Sequence, residues 1–233
     1  MFDIFVKLWW QYLLLALCCY AFCNFNFAVA FSKLFKRSDV RNYGSGNAGT
    51  TNMFRVYGLR MGALTFFCDT MKGVICCLLA KLIFGWGTAE ATTAGYIAGL
   101  FAVLGHVFPV YHRFRGGKGV ATSVGILFSL QPIFTLCLVI PFCVIVLLSD
   151  RMSVASIVLS IFIIAWNWVV WSLDCYLGII FNRIDLFCCI LTTVSFAVVI
   201  FAHRYNIARI FSGKEKPLGL RKALCGKSDK IVK

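Results

Sequence analysis

Seven long apolar stretches dominate this chain and restrict what it can fold into. A bilayer offers the backbone no water, so a spanning segment must satisfy its own N–H and C=O groups, as a helix of about 20 apolar residues does. The fourth stretch is short for a full crossing, and its boundary with the fifth, at Gln131-Pro132, is the least clearly marked. The sequence therefore predicts an all-α polytopic membrane protein of about seven transmembrane helices, with residues 1–233 forming one integral-membrane domain. The predicted spans cover roughly residues 8–32, 59–83, 91–111, 119–131, 132–149, 152–173 and 184–204.

The charged residues are distributed unevenly along the chain. In a chain with 61% hydrophobic residues, an excess of 23 Lys and Arg over 9 Asp and Glu indicates contact with membrane lipids rather than with nucleic acid. If the amino terminus is placed outside, nineteen of the 23 cationic residues fall in inner segments and three in outer ones. The positive-inside rule therefore predicts an outer amino terminus and a cytoplasmic carboxyl terminus, with a basic tail over about 212–233.

Twelve cysteines are enough for a metal site or a set of disulfides, but their positions on the predicted spans argue against both. Most of them lie inside those spans, where a free thiol behaves as a small apolar side chain. The chain contains no C-x-x-C pair, and no His stands at ligand spacing from a cysteine. The sequence therefore predicts neither a metal site nor a cofactor.

Most of the polar, glycine-rich sequence falls into three segments on the predicted inner side, and the first covers residues 39–55. Its glycines match the dinucleotide fingerprint G-x-G-x-x-G, but no strand precedes them, so that interpretation is rejected. Glycines allow the backbone to approach a ligand, and Ser45, Asn47 and Arg55 add hydrogen-bonding and cationic groups. An ordinary Asn/Gly turn followed by a helix cap remains an equal alternative here.

The second segment, residues 105–122, contains Gly116-Gly117-Lys118-Gly119 immediately before an apolar helix. Such a loop offers an anion several N–H groups, the positive end of a helix dipole and an ammonium group, which favours phosphate. It is not a Walker motif, because the upstream glycine is missing and Gly119 replaces the Ser or Thr. The alternative is a set of ordinary basic residues at a membrane boundary.

The third segment, residues 203–216, begins with His203, Asn206 and Arg209. If the seventh helix extends, these three residues recur along one side of it. A histidine, an amide and a guanidinium on one face suit an anionic ester, whereas a basic stop-transfer end would explain Arg209 alone. Within the spans, Asp69 and Lys72 are expected to form a structural ion pair in preference to a functional one.

Across nearly its whole length, the chain resembles the bacterial membrane acyl-phosphate:glycerol-3-phosphate acyltransferases. The matching pieces are Asp39-x-Arg41 with GSGNAGTTN and Arg55; Gly62, Thr65, Asp69 and Lys72-Gly73; Gly105-His106-x-Phe108-Pro109 and GGKGVAT; Ser153-x-x-Ser156; and His203, Asn206-Ile207, Arg209 and Gly213-x-Glu215. The chain departs from the family pattern at Thr50, at Tyr205 and at Asn24-Phe25-Asn26, where the first helix is expected to kink differently.

The resemblance implies transfer of a fatty acyl group from acyl phosphate to glycerol 3-phosphate, giving lysophosphatidic acid and inorganic phosphate. It implies a multi-pass protein of the bacterial inner membrane whose site faces the cytoplasm. The protein would act as a monomer, with the enzyme that forms acyl phosphate as a possible neighbour. The expected catalytic residues are His203, Asn206 and Ser45, with either His203 or a substrate phosphate accepting the proton. The expected substrate-binding residues are Asn47, Arg55, Gly116, Gly117, Lys118, Gly119, Ser153, Ser156 and Arg209.

Two other functions compete with this one. Acyl-thioester-dependent acyltransferases usually carry an Asp five positions after a His, but the three histidines here are followed at that offset by Tyr111, Gly117 and Ala208. A small anion or sugar-phosphate transporter would also suit seven spans and basic loops. Transporters place their substrate site near the membrane midplane, whereas the polar groups of this chain gather at one face.

Overall fold

A computed structural model describes residues 2–177 and 185–218, and every regular element within those ranges is helical. Short 3₁₀ turns at Val40–Asn42 and Val110–His112 lie within two of the loops. The ten α-helices within the described residues are α1 (Phe2–Cys23), α2 (Phe27–Lys36), α3 (Thr50–Tyr57), α4 (Leu59–Phe84), α5 (Ala89–Val107), α6 (Val120–Leu130), α7 (Pro132–Ser149), α8 (Met152–Leu177), α9 (Leu186–Ala202) and α10 (Arg204–Phe211).

Five apolar segments within the described residues are long enough to cross a membrane: Leu8–Lys36, Leu59–Phe84, Ala89–His112, Pro132–Ser149 and Met152–Cys175. Helices α9 and α10 would form a sixth span as a pair bent by 56°. The fourth predicted span is the 11-residue α6, which extends only about 16 Å against a hydrocarbon core of about 30 Å. The all-helical membrane architecture is confirmed, while seven crossings, the orientation of the termini and the single domain over 1–233 stay predictions. Most of the basic tail, from residue 219, lies outside the described residues.

The first predicted span, over 8–32, is two helices, and the break lies at Asn24-Phe25-Asn26, where a different kink was expected. The buried Asn26 caps α2, because its Oδ1 accepts the Val29 N–H at 2.9 Å while its Nδ2 donates to the Ala48 carbonyl. The buried Asn24 bonds the backbone of Val110 and of its own helix. Each asparagine thus offers the chain a partner outside the α1 hydrogen-bond ladder, and this explains the break.

Helix α5 is the most enclosed of the candidate spans in the described chain, because 72% of its apolar stretch is buried. It is rich in small residues and packs against α1, α4, α6 and α9. A Cβ on Gly105 would lie 2.4 Å from the Tyr20 carbonyl oxygen, so α1 and α5 approach at backbone distance. Close helix contact through small residues is the usual way in which membrane helices associate.

Helix α6 packs equally closely on α4, and this contact positions the loop that precedes it. A Cβ on Gly125 would meet the Thr70 carbonyl at 2.0 Å, and one on Gly73 would meet the Thr122 carbonyl at 2.2 Å. Reciprocal glycines therefore hold the two backbones together. The amino end of α6 and the Gly-Gly-Lys-Gly loop are consequently fixed relative to α4.

The ion pair expected in the membrane is present on α4. Lys72 Nζ lies 3.2 Å from Asp69 Oδ1, and the two side chains are 1% and 2% exposed. Lys72 also donates to the Phe25 carbonyl at the break between α1 and α2, and its Nζ lies 4.9 Å from the centre of the Phe27 ring. The pair therefore stabilises the interrupted first span as well as neutralising itself.

Candidate active site

The three polar segments meet the start of α8 around one cavity of about 620 Å³. Ten of the twelve residues predicted for the site line this cavity, and the exceptions are Gly116 and Gly117. Segments far apart in the sequence are thus brought to one place, as the clustering of polar residues on one predicted face indicated. The ten are Ser45, Asn47, Arg55, Lys118, Gly119, Ser153, Ser156, His203, Asn206 and Arg209.

The glycine-rich loop before α3 is folded around the side chain of Asn52. Asn52 Oδ1 accepts the Ser45 N–H at 2.8 Å, and its Nδ2 donates to the carbonyls of Val40 and Tyr43. Gly44 has φ +63°, and a Cβ there would lie 2.3 Å from Asn52 Oδ1. A residue with a side chain would therefore displace the amide that shapes the loop. Asn52, which has no predicted role, fixes the wall on which Ser45 and Asn47 lie.

Gly116 and Gly117 do not present their N–H groups to the cavity as expected for anion-binding residues. The Gly116 N–H donates to the Val107 carbonyl and the Gly117 N–H to the His106 carbonyl, both at 3.1 Å. A Cβ on Gly116 would lie 2.0 Å from the His106 carbonyl oxygen. These glycines therefore allow the loop to pack against the end of α5, and the ligand-facing part of the motif begins at Lys118.

Lys118 is largely removed from water at the start of α6. This burial lowers the pKa of its ammonium group to about 8, and the nearby charges of Arg209 and Arg55 act in the same direction while Glu215 opposes them. Because burial has already removed much of the water around this ammonium group, binding an anion costs it less desolvation than it would cost an exposed lysine. Phosphate would restore the charge balance of the site.

The last predicted span bends at His203 and does not continue as the straight helix expected from its spacing. Helix α9 ends at Ala202, and α10 leaves at an angle of 56°. The buried His203 Nδ1 lies 2.8 Å from the Val199 carbonyl oxygen, which can only accept, so Nδ1 bears the hydrogen. In the neutral ring, Nε2 is then the nitrogen with a free lone pair.

Glu215 joins three residues of the predicted site, although no role was predicted for it. Its Oε1 accepts hydrogen bonds from Ser153 Oγ at 2.7 Å and from Asn206 Nδ2 at 2.6 Å, and its Oε2 accepts from Arg209 Nε at 2.7 Å. Burial alone would raise the pKa of Glu215, but these donors outweigh burial and lower it, so the carboxylate is charged at neutral pH. The sequence signal was Gly213-x-Glu215, which gave no indication of these partners.

Residues 213–218 pass across the cavity as a strap that is attached to the start of α8. The Leu218 N–H donates to the Asp150 carbonyl at 2.7 Å, and Arg151 Nε donates to the Glu215 carbonyl at 3.2 Å. Lys214, Glu215, Lys216 and Leu218 line the cavity from this strap. The strap therefore closes the polar side of the site and adds two cationic side chains to it.

Apolar side chains of two membrane helices also line the cavity. They are Leu59, Ala63 and Phe66 of α4 and Phe142 of α7. Phe66 is 42% exposed. One cavity thus combines cationic and hydrogen-bonding residues with apolar residues of membrane helices.

Comparisons with known proteins agree with this geometry. A family model described as glycerol-3-phosphate acyltransferase matches residues 13–213. The chain is 36% identical over 207 residues to a glycerol-3-phosphate acyltransferase of Finegoldia magna, covering 89% of this chain and 96% of the relative. It is 40% identical over 193 residues to one of Staphylococcus aureus, covering 78% and 86% of the two chains.

Two solved structures extend the similarity to three dimensions. A crystal structure of PlsY (YgiH), an integral membrane glycerol 3-phosphate acyltransferase in its glycerol 3-phosphate form, matches with a TM-score of 0.78 at 34% identity, covering 92% of this chain and 98% of that one. Its lysophosphatidic acid form matches with a TM-score of 0.74. All these relatives are acyltransferases, so an enzyme is favoured over a transporter. The chain is a membrane enzyme that belongs to the glycerol-3-phosphate acyltransferase family.

Proposed function

We propose that this enzyme transfers a fatty acyl group from acyl phosphate to glycerol 3-phosphate, releasing lysophosphatidic acid and inorganic phosphate. The observation that supports this reaction best is a single cavity lined both by the cations Lys118, Arg55 and Arg209 and by apolar residues of membrane helices. Both substrates carry a phosphate, and one of them carries an acyl chain. The solved relatives in glycerol 3-phosphate and lysophosphatidic acid forms are consistent with an acceptor and a product of these kinds.

The donor is assigned from the chemistry that the site offers. Acyl phosphate is a mixed anhydride with a good leaving group, so the reaction needs no acyl-enzyme intermediate. Among the described residues no cysteine lines the cavity, and the hydroxyls of Ser153 and Ser156 donate to Glu215 and to the Met152 carbonyl. Glu215 also accepts from Asn206 and Arg209, and because these hydrogen bonds lower its pKa, it is a weak base towards Ser153. Direct attack by the acceptor hydroxyl therefore fits the site better than a covalent route.

In the proposed step, the acceptor hydroxyl oxygen attacks the acyl carbonyl carbon and forms the ester bond. The bond from that carbon to the bridging oxygen breaks, and the phosphate leaves with the electron pair. Lys118, Arg55 and Arg209 bind the two phosphates and hold the reactants in line. Ser45, Asn47 and Asn206 are the proposed donors to the acceptor and to the developing oxyanion.

The hydroxyl proton has two possible acceptors in this scheme. One is His203 Nε2, which is free because Nδ1 is held by the Val199 carbonyl. The other is a phosphate oxygen of the substrates themselves. We assign the step to His203 because its ring lines the cavity and is held in one orientation.

The apolar lining of the cavity is the proposed place of the acyl chain. Ala63 and Phe66 of α4 and Phe142 of α7 supply this lining. Because these residues belong to membrane helices, the donor would enter from the bilayer, whereas the cationic residues would receive glycerol 3-phosphate from water.

The basic segments place the cationic residues of the cavity at the cytoplasmic face of the bacterial inner membrane in this proposal, since nineteen of 23 cationic residues would lie there. We expect the protein to act as a monomer, because the cavity is built from residues of one chain. The enzyme that produces acyl phosphate is the expected neighbour, because its product partitions into the same membrane.

A donor comparison tests this function directly. Purified protein in lipid nanodiscs is given glycerol 3-phosphate with acyl phosphate, acyl-CoA or acyl-carrier protein of one chain length. We expect lysophosphatidic acid and inorganic phosphate in equal amounts with acyl phosphate alone. Equal or faster product formation from a thioester would contradict the proposed donor. Arg115→Ala serves as a control variant that should keep the activity of the wild type, because this exposed arginine lies outside the cavity lining.

A further inference from the structure

A buried chain of contacts connects the ion pair of α4 to the loop that bears Lys118. Asp69 Oδ1 lies 3.2 Å from Lys72 Nζ on one side and 3.7 Å from His106 Nδ1 on the other. Asp69 and His106 are both buried, and both line the floor of the cavity. The pair on α4 therefore extends to a histidine at the end of α5.

Neither of the two facing atoms has a hydrogen-bond partner among the described residues. His106 Nδ1 and Asp69 Oδ1 are both buried side-chain atoms without such a bond. Asp69 Oδ1 is already in the ion pair with Lys72, but His106 Nδ1 has no such contact besides Asp69 in the described part of the chain. A buried polar atom without a hydrogen bond is costly, so the ring nitrogen is expected to bond the carboxylate oxygen that faces it. A small rotation of the ring would reduce the separation of 3.7 Å to hydrogen-bonding distance.

His106 is also the residue against which the glycine loop packs. Its carbonyl oxygen accepts the Gly117 N–H at 3.1 Å. Its Nε2 would lie 2.1 Å from a Cβ on Gly117, and its carbonyl oxygen would lie 2.0 Å from a Cβ on Gly116. The ring and the backbone of one histidine thus determine where both glycines lie, and Lys118 follows them directly in the chain.

We propose that Asp69 and His106 are positioning residues of the phosphate site: Asp69 orients the His106 ring, and the ring places Gly117 so that Lys118 enters the cavity at a fixed point. Neither residue needs to touch a phosphate for this role. The inference rests on the proposed function of Lys118 in binding phosphate. It assigns the buried pair a kinetic role beyond the neutralisation of charge in the membrane.

Two double variants test this role while keeping the membrane segment neutral. Asp69→Leu with Lys72→Gln removes both charges and leaves His106 Nδ1 without an acceptor. Asp69→Asn with Lys72→Gln removes the same charges but keeps an amide oxygen where Asp69 Oδ1 faces the ring. Lys72→Gln retains a donor for the Phe25 carbonyl in both cases.

We expect the Leu/Gln variant to raise KM for a phosphate substrate about tenfold to a hundredfold, and the Asn/Gln variant to remain near the wild type. In the Leu/Gln variant the loosened loop should admit water to Lys118 and raise its pKa towards the ordinary value. The alkaline fall of kcat/KM should therefore move to higher pH. The charges facing Lys118, those of Glu215, Arg209 and Arg55, are unchanged in both variants. Equal KM values in the wild type and both variants would overturn the proposal.

His106→Ala provides a second test if the Leu/Gln variant does not fold. It removes the ring, keeps the backbone contact to Gly117 and should raise KM in the same way. An unchanged KM in a folded His106→Ala protein would also overturn the inference. Lys118→Ala is measured in parallel. If the KM of Lys118→Ala equals that of the wild type, the proposed phosphate role of Lys118 fails. If Lys118→Ala raises KM while the Asp69 and His106 variants keep the KM of the wild type, only the present inference is refuted.

Discussion

The Ser153 hydroxyl donates a hydrogen bond to Glu215 Oε1 at 2.7 Å across 62 residues of sequence. Through this contact the first turn of α8 is attached to the strap that follows α10. Asn206 and Arg209 donate to the same carboxylate. One acidic residue therefore holds two walls of a cavity that is otherwise rich in cations.

Replacing Glu215 by Gln should weaken both the fold and the site. The amide nitrogen of Gln would face a donor, Arg209 Nε, so the charge-assisted bond is lost. We expect the free energy of unfolding to fall by about 1–2 kcal/mol, since Arg209 is partly exposed, and kcat/KM to fall as well. Heat-induced unfolding followed by tryptophan fluorescence measures the first effect. A double-mutant cycle is completed by measuring Arg209→Gln and the double variant Arg209→Gln/Glu215→Gln. If the changes in the free energy of unfolding were strictly additive, the two residues would not be coupled.

The pH dependence of the reaction should report the titration of Lys118. Its pKa is lowered to about 8, so it is charged below that pH and loses its charge as the pH rises through it. We expect kcat/KM to fall on the alkaline side with a midpoint near the pKa of the free enzyme, because an uncharged amine binds phosphate weakly. Lys118→Arg should abolish this alkaline limb, since a guanidinium remains charged. An alkaline limb at the same pH in Lys118→Arg would assign it to another group.

The role of His203 can be separated from its structural hydrogen bond. In His203→Asn, the side-chain amide can still donate to the Val199 carbonyl, but Nε2 is gone. If Nε2 accepts the hydroxyl proton, kcat should fall about 100-fold or more with little change in KM. Steady-state assays at saturating donor measure this. A kcat within about threefold of the wild type would assign the proton to a substrate phosphate instead.

Gly116 and Gly117 provide a matched pair, because each is blocked by a different part of His106. Gly117→Ala places a Cβ 2.1 Å from the ring Nε2, whereas Gly116→Ala places one 2.0 Å from the carbonyl oxygen. Each change should destabilise the protein by about 1–3 kcal/mol through overpacking. Adding His106→Ala should restore stability to Gly117→Ala and leave Gly116→Ala destabilised, as thermal unfolding would show. Equal rescue of both would contradict the packing described for the ring.

Much of the architecture was predictable because a bilayer acts as a uniform solvent. Apolar runs such as 59–83 and 132–149 correspond to α4 and α7 within a few residues, since no other backbone structure satisfies its hydrogen bonds in lipid. At Asn24-Phe25-Asn26 a different kink was expected but not a complete break, and the bend at His203 was not predicted. Both depend on side-chain and backbone partners, such as the Ala48 carbonyl, that only the packed bundle supplies.

In the candidate site, too, some features were predictable from the sequence and others depended on the tertiary structure. Residue chemistry and local glycine patterns indicated residues such as Lys118 and His203, because ligand-binding groups are recognisable by type. Ser153 and Ser156, which also line the cavity, were expected only from the family resemblance. Glu215 was missed, since nothing in its neighbourhood in the sequence reveals Ser153 as its partner.

The sequence alone determined that this is a helical membrane protein with basic, glycine-rich polar segments, because apolar length and charge are properties of local segments. Its enzymatic activity was indicated by the resemblance of its motifs to a known family. Only the tertiary structure decided which buried groups satisfy one another. It paired Glu215 with α8 and α10, and it placed His106 between Asp69 and the loop of Lys118. The physical reason is that a buried polar atom must find its partner wherever packing brings one, and packing joins residues that are distant in the chain.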